Sequence, residues 1–159
     1  MKKYIFIIIS LLAYITLYAC DKQENLTNIP QENPIQETMQ LKISIGEQIF
    51  LATLYDNIST KTFIKQLPLT LDMIELNGNE KYYNPKQNEK LPIENAKSGT
   101  INPGDLMVWD SNSRSLVLFY KTFENPYKYV RIAKINNTEG LEKALGKTNL
   151  PITFELIKQ

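Results

Sequence analysis

The sequence contains no histidine and one cysteine among 159 residues. Without histidine there is neither a Ser-His-Asp nor a Cys-His catalytic arrangement, and no His- or Cys-ligated zinc site can be assembled. A single cysteine forms no intramolecular disulfide. The six glycines fall mostly at turns, so no Gly-rich loop is present to cradle phosphate. Arginine is limited to Arg114 and Arg131, and no long block of like charge stands out. The near balance of 18 basic and 17 acidic residues gives no electrostatic footprint for nucleic acid, so no nucleic-acid partner is expected. No internal repeat is visible, and no cofactor or metal is expected.

What is present begins with Lys2 and Lys3, followed by an apolar run from Tyr4 to Leu17 broken only by Ser10 and Thr16. That run is short for a membrane span and reads as a secretory signal. Leu17-Tyr18-Ala19-Cys20 resembles a bacterial lipobox, in which the cysteine is acylated and becomes the new N-terminus. The expectation is a signal peptide over residues 1–19 and lipidation at Cys20, placing an exported protein on a bacterial membrane. An ordinary cleaved signal and an uncleaved N-terminal anchor are the alternatives. Two acyl chains hold a protein stably on a bilayer, each buried methylene contributing about 0.8 kcal/mol. Residues 20–38 are rich in Asn, Gln, Glu and Pro with no apolar period, which predicts a flexible tether. Taking Lys2 and Lys3 from the 18 basic residues leaves 16 against 17 acidic, a balance of −1. Residues 39–159 have the length of one ordinary domain.

Within that domain Met39 to Ile45 alternates apolar and polar, the pattern of a half-buried strand, and Gly46-Glu47 turns it into a second strand, Ile49 to Tyr55. Ser59 or Thr60 is placed to cap a short helix to Lys65 or Gln66, which Pro68 ends. Leu69 to Leu76 is a third strand, with Leu69, Leu71, Met73 and Glu75 on one face. Asn77-Gly78-Asn79 is a turn leading to a short strand, Glu80 to Tyr83. Asn84 to Ser98 reads as a long polar loop. Asn102-Pro103-Gly104-Asp105 suggests a type II turn. Leu106–Trp109 and Leu116–Tyr120 are strands, the second apolar enough to be buried on both faces or to form a barrel wall. A turn at Glu124-Asn125-Pro126, a strand from Tyr127 to Ile135, a helix from Glu139 to Leu145 stopped by Gly146, and a last strand from Leu150 to Ile157 complete the pattern. About seven or eight short strands with two short helices predict an all-β fold, a closed antiparallel barrel.

Several stretches together carry a resemblance: LKISIGEQIFLATLYDN, LPLTLDMIELNGNEKYY, GTINPGDLMVW, LVLFYKTF and GLEKALG, in that order. They are similar to the cyclophilin-like domain of small bacterial proteins. The resemblance implies a closed eight-stranded β-barrel with helices near Ser59–Gln66 and Glu139–Leu145 covering its ends. True cyclophilins are peptidyl-prolyl isomerases whose arginine lies in a Phe-His-Arg motif. That motif is absent here, and Gly104-Asp105 lacks the Gln that usually precedes the family's Gly-Gly-Asp segment. Arg131, on the tyrosine face of its strand, is the one candidate for an isomerase-like arginine; its alternative is a surface role with its stem over the sheet.

The remaining chemistry is carried by carboxylates and aromatics. Glu75 and Glu80 flank the Asn77-Gly78-Asn79 turn, where they could act as an acid/base pair or hold calcium weakly. The blander reading leaves Glu80 and Lys81 solvated at a turn. Tyr82, Tyr83, Trp109, Phe119, Tyr120, Tyr127 and Tyr129 form an aromatic set, with Phe119 assigned to the barrel core. Tyr82, Tyr83, Trp109, Arg131, Glu75 and Glu80 are the ligand-binding candidates. The expected role is a non-catalytic module that binds a peptide, a small ligand or an envelope protein. A weak prolyl isomerase and a structural component of an envelope assembly are the alternatives.

Overall fold

The computed structural model of the protein describes residues 39–158. The signal-like segment, Cys20 and the tether read for residues 20–38 lie outside the described residues.

Sequence alternation becomes alternation in burial. In β1 (Met39–Ile45) Leu41, Ile43 and Ile45 are buried, whereas Lys42 and Ser44 remain partly exposed. The hairpin turns at Gly46, in the left-handed region at φ 58°, into β2 (Gln48–Leu54), where Phe50 and Ala52 continue the inward face. After α1 (Ile58–Ile64) come β3 (Leu69–Leu76) and β4 (Glu80–Tyr83). Next are β5 (Lys97–Ile101), β6 (Asp105–Trp109), β7 (Leu116–Phe119) and β8 (Phe123–Ile135). The chain ends on α2 (Leu141–Leu145) and β9 (Leu150–Lys158).

Every pairing is antiparallel, in the order β2-β1-β9-β3-β4-β7-β6-β8. Ala52 then pairs with Ile135 and Leu54 with Ala133, which joins β8 back to β2 and closes an eight-stranded ring. The ninth strand, β5, lies outside the ring on the first half of β8. Closure removes all but this short edge. The interior is filled by Leu41, Ile43, Met73, Leu106, Leu118 and Phe154 with their neighbours. Phe63 of α1 meets Phe154 edge-to-face at 5.9 Å, and Leu141 and Leu145 of α2 are buried in the same core. The helices follow the C-terminal ends of β2 and β8; those strands run antiparallel, so α1 and α2 occupy opposite ends of the ring.

The all-β ring with two helices agrees with the sequence reading, and four details differ from it. The cap of α1 is Asn57, not Ser59 or Thr60: its side chain accepts from the Thr60 amide at 2.9 Å and donates to the Arg131 carbonyl at 2.8 Å. Ser59 and Thr60 instead hydrogen-bond the carbonyls of Pro92 and Ile132. β5 begins inside the stretch read as loop, because four of its five residues are exposed and show no period; only pairing with β8 makes it a strand. Glu124-Asn125-Pro126 is strand rather than turn, with Pro126 accommodated where the β5–β8 register shifts. Finally, α2 starts at Leu141, after Gly140 takes φ 78°.

The apolar runs of β6 and β7 are buried on both faces. Leu106, Val108, Leu116 and Leu118 face the interior. Met107, Val117 and Phe119 belong to a second cluster with Ile101 and Tyr129, against which Tyr82, Trp109 and Phe123 pack. Phe119 is fully buried, but in this outer cluster and not in the barrel interior as expected.

Candidate functional site

The outer cluster forms the floor of a groove of about 540 Å³ on the face of β4, β7, β6 and β8. Glu80 and Tyr82 reach it because they alternate with Lys81 and Tyr83 along β4. Trp109 stands at the end of β6, its amide donating to the Ser115 carbonyl at 3.0 Å. Across from it Tyr127, 58% exposed, meets the indole at 5.7 Å with the rings tilted by 66°. Tyr129 and Phe123 hold the floor on either side of Phe119, at 5.5 and 5.6 Å. The bend around Pro126 is fixed by Asn125, whose side-chain oxygen accepts from the Tyr127 amide at 2.9 Å.

Two polar features stand out on these walls. Burial, aided by the Glu75 carboxylate, pushes the Glu80 carboxyl up to about 7. Burial and then the Glu80 charge raise Tyr129 above the ordinary tyrosine range. Asn79 contributes a buried side-chain oxygen with no hydrogen-bond partner, which in a folded protein costs about 1–3 kcal/mol when left unmet. A perturbed carboxylate in an aromatic concavity marks a binding site better than a packing surface. Opposite them, Ser111, Ser113 and Ser115 form a hydroxyl chain at 2.8 Å spacing that ends on Asn84 Oδ1 at 2.6 Å.

Of the residues singled out from sequence, Tyr82, Trp109 and Glu80 converge here. Three others do not. Tyr83 turns to the interior side, where its hydroxyl donates to Glu89 at 3.0 Å beside Phe63, Leu91 and Arg114. Arg131 is exposed in a neighbouring groove of about 850 Å³, about half of whose lining comes from the 94–102 stretch and which shares only the Tyr129 wall. Glu75 lies on the opposite face of the sheet from Glu80, so the two carboxylates form no acid/base pair. Among the described residues, no group of three or more Asp, Glu or Cys gathers as a metal site.

Glu75 is instead part of a buried cluster. Lys81, read as a solvated turn residue, is 0% exposed. Its ammonium donates to Glu75 Oε2 at 2.5 Å, to the Thr148 carbonyl at 2.8 Å and to the Gly146 carbonyl at 3.1 Å. Tyr120 donates to both Glu75 oxygens at 2.8 and 2.9 Å, and the Gly78 amide to Oε1 at 2.8 Å. Burial works to raise the Glu75 carboxyl, but the Lys81, Tyr120 and Gly78 hydrogen bonds outweigh it and hold the group below its ordinary value. With every partner internal, this cluster is structural: it ties the β3–β4 hairpin to the segment between α2 and β9. The turn at Asn102–Asp105 is likewise structural. The 2%-exposed Asp105 carboxylate accepts from the Asn102 amide at 2.9 Å and from Lys134 at 3.0 Å.

Comparison with known proteins bears on the fold. A profile of the cyclophilin-like family matches residues 43–155. The chain belongs to the cyclophilin-like family. The solution structure of a hypothetical protein from Archaeoglobus fulgidus has the same fold, with a TM-score of 0.57 and 18% sequence identity. That match covers 77% of this chain and 98% of the other. None of the curated proteins matches the chain.

Sequence reading missed Asn79, Asn84, Ser113, Ser115, Phe123, Glu124 and Asn125 at the groove. Apart from Phe123, their only advance signal was polar turn composition, which is common to most loops. Which turns meet over which strands follows from ring closure, not from local pattern.

Proposed function

We propose that this cyclophilin-like domain is a non-catalytic binding module whose ligand occupies the groove formed by Tyr82, Trp109, Tyr127 and Tyr129. The convergence of those aromatic rings with Glu80 in a cavity of about 540 Å³ carries the reading. That volume falls within the roughly 300–1,000 Å³ of small-ligand pockets. Tyrosine and tryptophan supply apolar area with a polar tip and lose little rotamer freedom, which suits peptide or small-ligand contact. The serine hydroxyls at the groove run to one another and to Asn84, not to a base, so no activated serine is built among them. The binding reading is favoured over a weak prolyl isomerase because Arg131 lies outside the aromatic set, in the adjoining groove.

The sole tryptophan makes the test direct. Peptide and metabolite libraries titrated into the full chain should shift Trp109 fluorescence, and Tyr82→Ala should weaken the response. If no library member binds below about millimolar concentration, weaker than the free energy of ~4 kcal/mol expected of a specific site, the reading is wrong.

The same proposal has the module exported and anchored to a bacterial membrane through acylated Cys20 and a tether over residues 20–38. The order of Lys2-Lys3, the apolar run and Leu17-Tyr18-Ala19-Cys20 supports it. Cys20→Ser should abolish fatty-acid labelling and release the protein from the membrane fraction. Unchanged labelling would refute acylation at that residue.

A further inference from the structure

We propose that the groove accepts an organic cation, an ammonium or guanidinium group carried on a short apolar stem. The inference rests on the groove being the binding site proposed above, and names the class of ligand it takes.

Three features of the walls point the same way. First, aromatic rings of Tyr82, Trp109, Tyr127 and Tyr129 surround the cavity, and ring faces attract cations, tryptophan most strongly. Second, the lining is acidic: Glu80 and Glu124 take part, and no Lys or Arg is among the described residues that line it. An anionic ligand would meet two carboxylates and no countercharge. Third, the serine protons on the wall are committed while the carboxylates keep acceptor capacity. Ser115 spends its proton on Asn84 Oδ1, so Ser113 must donate to Ser115 and Ser111 to Ser113. Glu124 accepts from Thr100 at 2.5 Å and keeps its second oxygen, and the Glu80 carboxyl lines the same groove. A ligand with N–H donors and a positive charge would satisfy these oxygens; a neutral apolar one would leave them as they are.

The titratable groups around Glu80 are Tyr82 on its own strand, Glu124, Tyr127 and Tyr129 from β8, and behind the sheet Tyr120 and Glu75, the latter neutralised by its ion pair with Lys81. None of those that line the groove is basic, so a bound cation supplies the missing countercharge and favours loss of the Glu80 proton. Affinity for a cation therefore rises from about pH 6 to about pH 8 as Glu80 ionises.

The test uses the full chain and Trp109 fluorescence at about pH 8, with three probes: a capped Gly-Lys-Gly peptide, its norleucine counterpart of equal length, and n-butylammonium. The lysine peptide should bind at least ~10-fold more tightly than the norleucine peptide. In Glu80→Gln that ratio should fall to within about 3-fold, and in the parent it should shrink at about pH 6. Lysine peptide tighter than butylammonium identifies a peptide side chain as the source of the cation, and equal binding identifies a free amine; either supports the inference. Equal affinity for lysine and norleucine peptides overturns the cation while leaving the groove as a binding site. Silence with all three probes also overturns the cation, and the library titration then decides separately whether the groove binds anything.

Discussion

Replacing Lys81 by Met tests the view that the Glu75–Lys81–Tyr120 cluster holds one end of the ring together. Methionine keeps the stem volume but removes the ammonium, which is fully buried and makes three hydrogen bonds. Two backbone carbonyls, of Gly146 and Thr148, lose their donor, and the Glu75 carboxylate loses its countercharge. Breaking a buried ion pair from one side costs about 3–5 kcal/mol, because the other charge stays behind uncompensated. Glu75 is 15% exposed and keeps donors from Tyr120 and Gly78, which places the expected loss near the lower end, about 3 kcal/mol. With a urea slope of about 2 kcal/mol per molar for a domain of this size, the midpoint should move down by roughly 1.5 M. The double variant Glu75→Gln/Lys81→Met removes both charges, so its loss should be smaller than the sum of the two single losses by at least ~0.5 kcal/mol. The pH dependence adds an independent check. Because Glu75 titrates lower in the folded state than its ordinary 4.5, the unfolded chain takes up the proton first on acidification. Stability due to this group is therefore complete above about pH 4.5 and is lost below it, and Lys81→Met should flatten that acid limb. A Lys81→Met protein within about 0.5 kcal/mol of the parent, or strictly additive losses, would refute the reasoning.

Glu80 should show the opposite slope: its carboxyl, raised to about 7, binds a proton more tightly folded than unfolded, so stability falls as pH rises from about 4.5 to about 7. Thermal melts of Glu80→Gln should exceed the parent at about pH 8 and match it near pH 4.5, and a gap independent of pH would count against the assignment. Gly104 has φ 84°, and a Cβ there would lie 2.8 Å from Thr138 Cγ2 and 2.9 Å from Ile135 Cβ. Gly104→Ala should cost at least ~2 kcal/mol, more than Gly78→Ala, which has positive φ but open space around it; equal urea midpoints would sink the close-approach argument. Asn57→Ala removes the α1 cap together with the bond to the Arg131 carbonyl, and should lose about 1–2 kcal/mol in denaturant titration.

The strands of the ring were legible because their periodicity is a direct consequence of lying between core and solvent. Leu41, Ile43 and Ile45 could face the same way only in a strand, and they do. The motif order added the family and the closed topology. Glycine and proline marked the turn at Asn102–Asp105 for the same kind of reason, since Gly104 takes the positive φ that a type II turn requires. Local pattern failed where a residue's partner is remote in sequence. Exposed β5 is a strand only because β8 passes beside it, and Lys81 is buried only because Glu75, Gly146 and Thr148 meet around it.

The candidate site divides in the same way. Sequence alone supplied the aromatic inventory, the absence of histidine and the carboxylates around the Asn77–Asn79 turn. It could not say which of them share a face, because a period of two assigns relative sides along one strand and not between strands. Pairing in the ring did that. It put Glu80, Tyr82, Trp109 and Tyr129 on one outer face, sent Glu75 and Tyr83 to the other, and left Arg131 across the Tyr129 wall. The fold class rests on local alternation and so was written in the chain; the composition of the groove rests on cross-strand register, which only the tertiary structure decides.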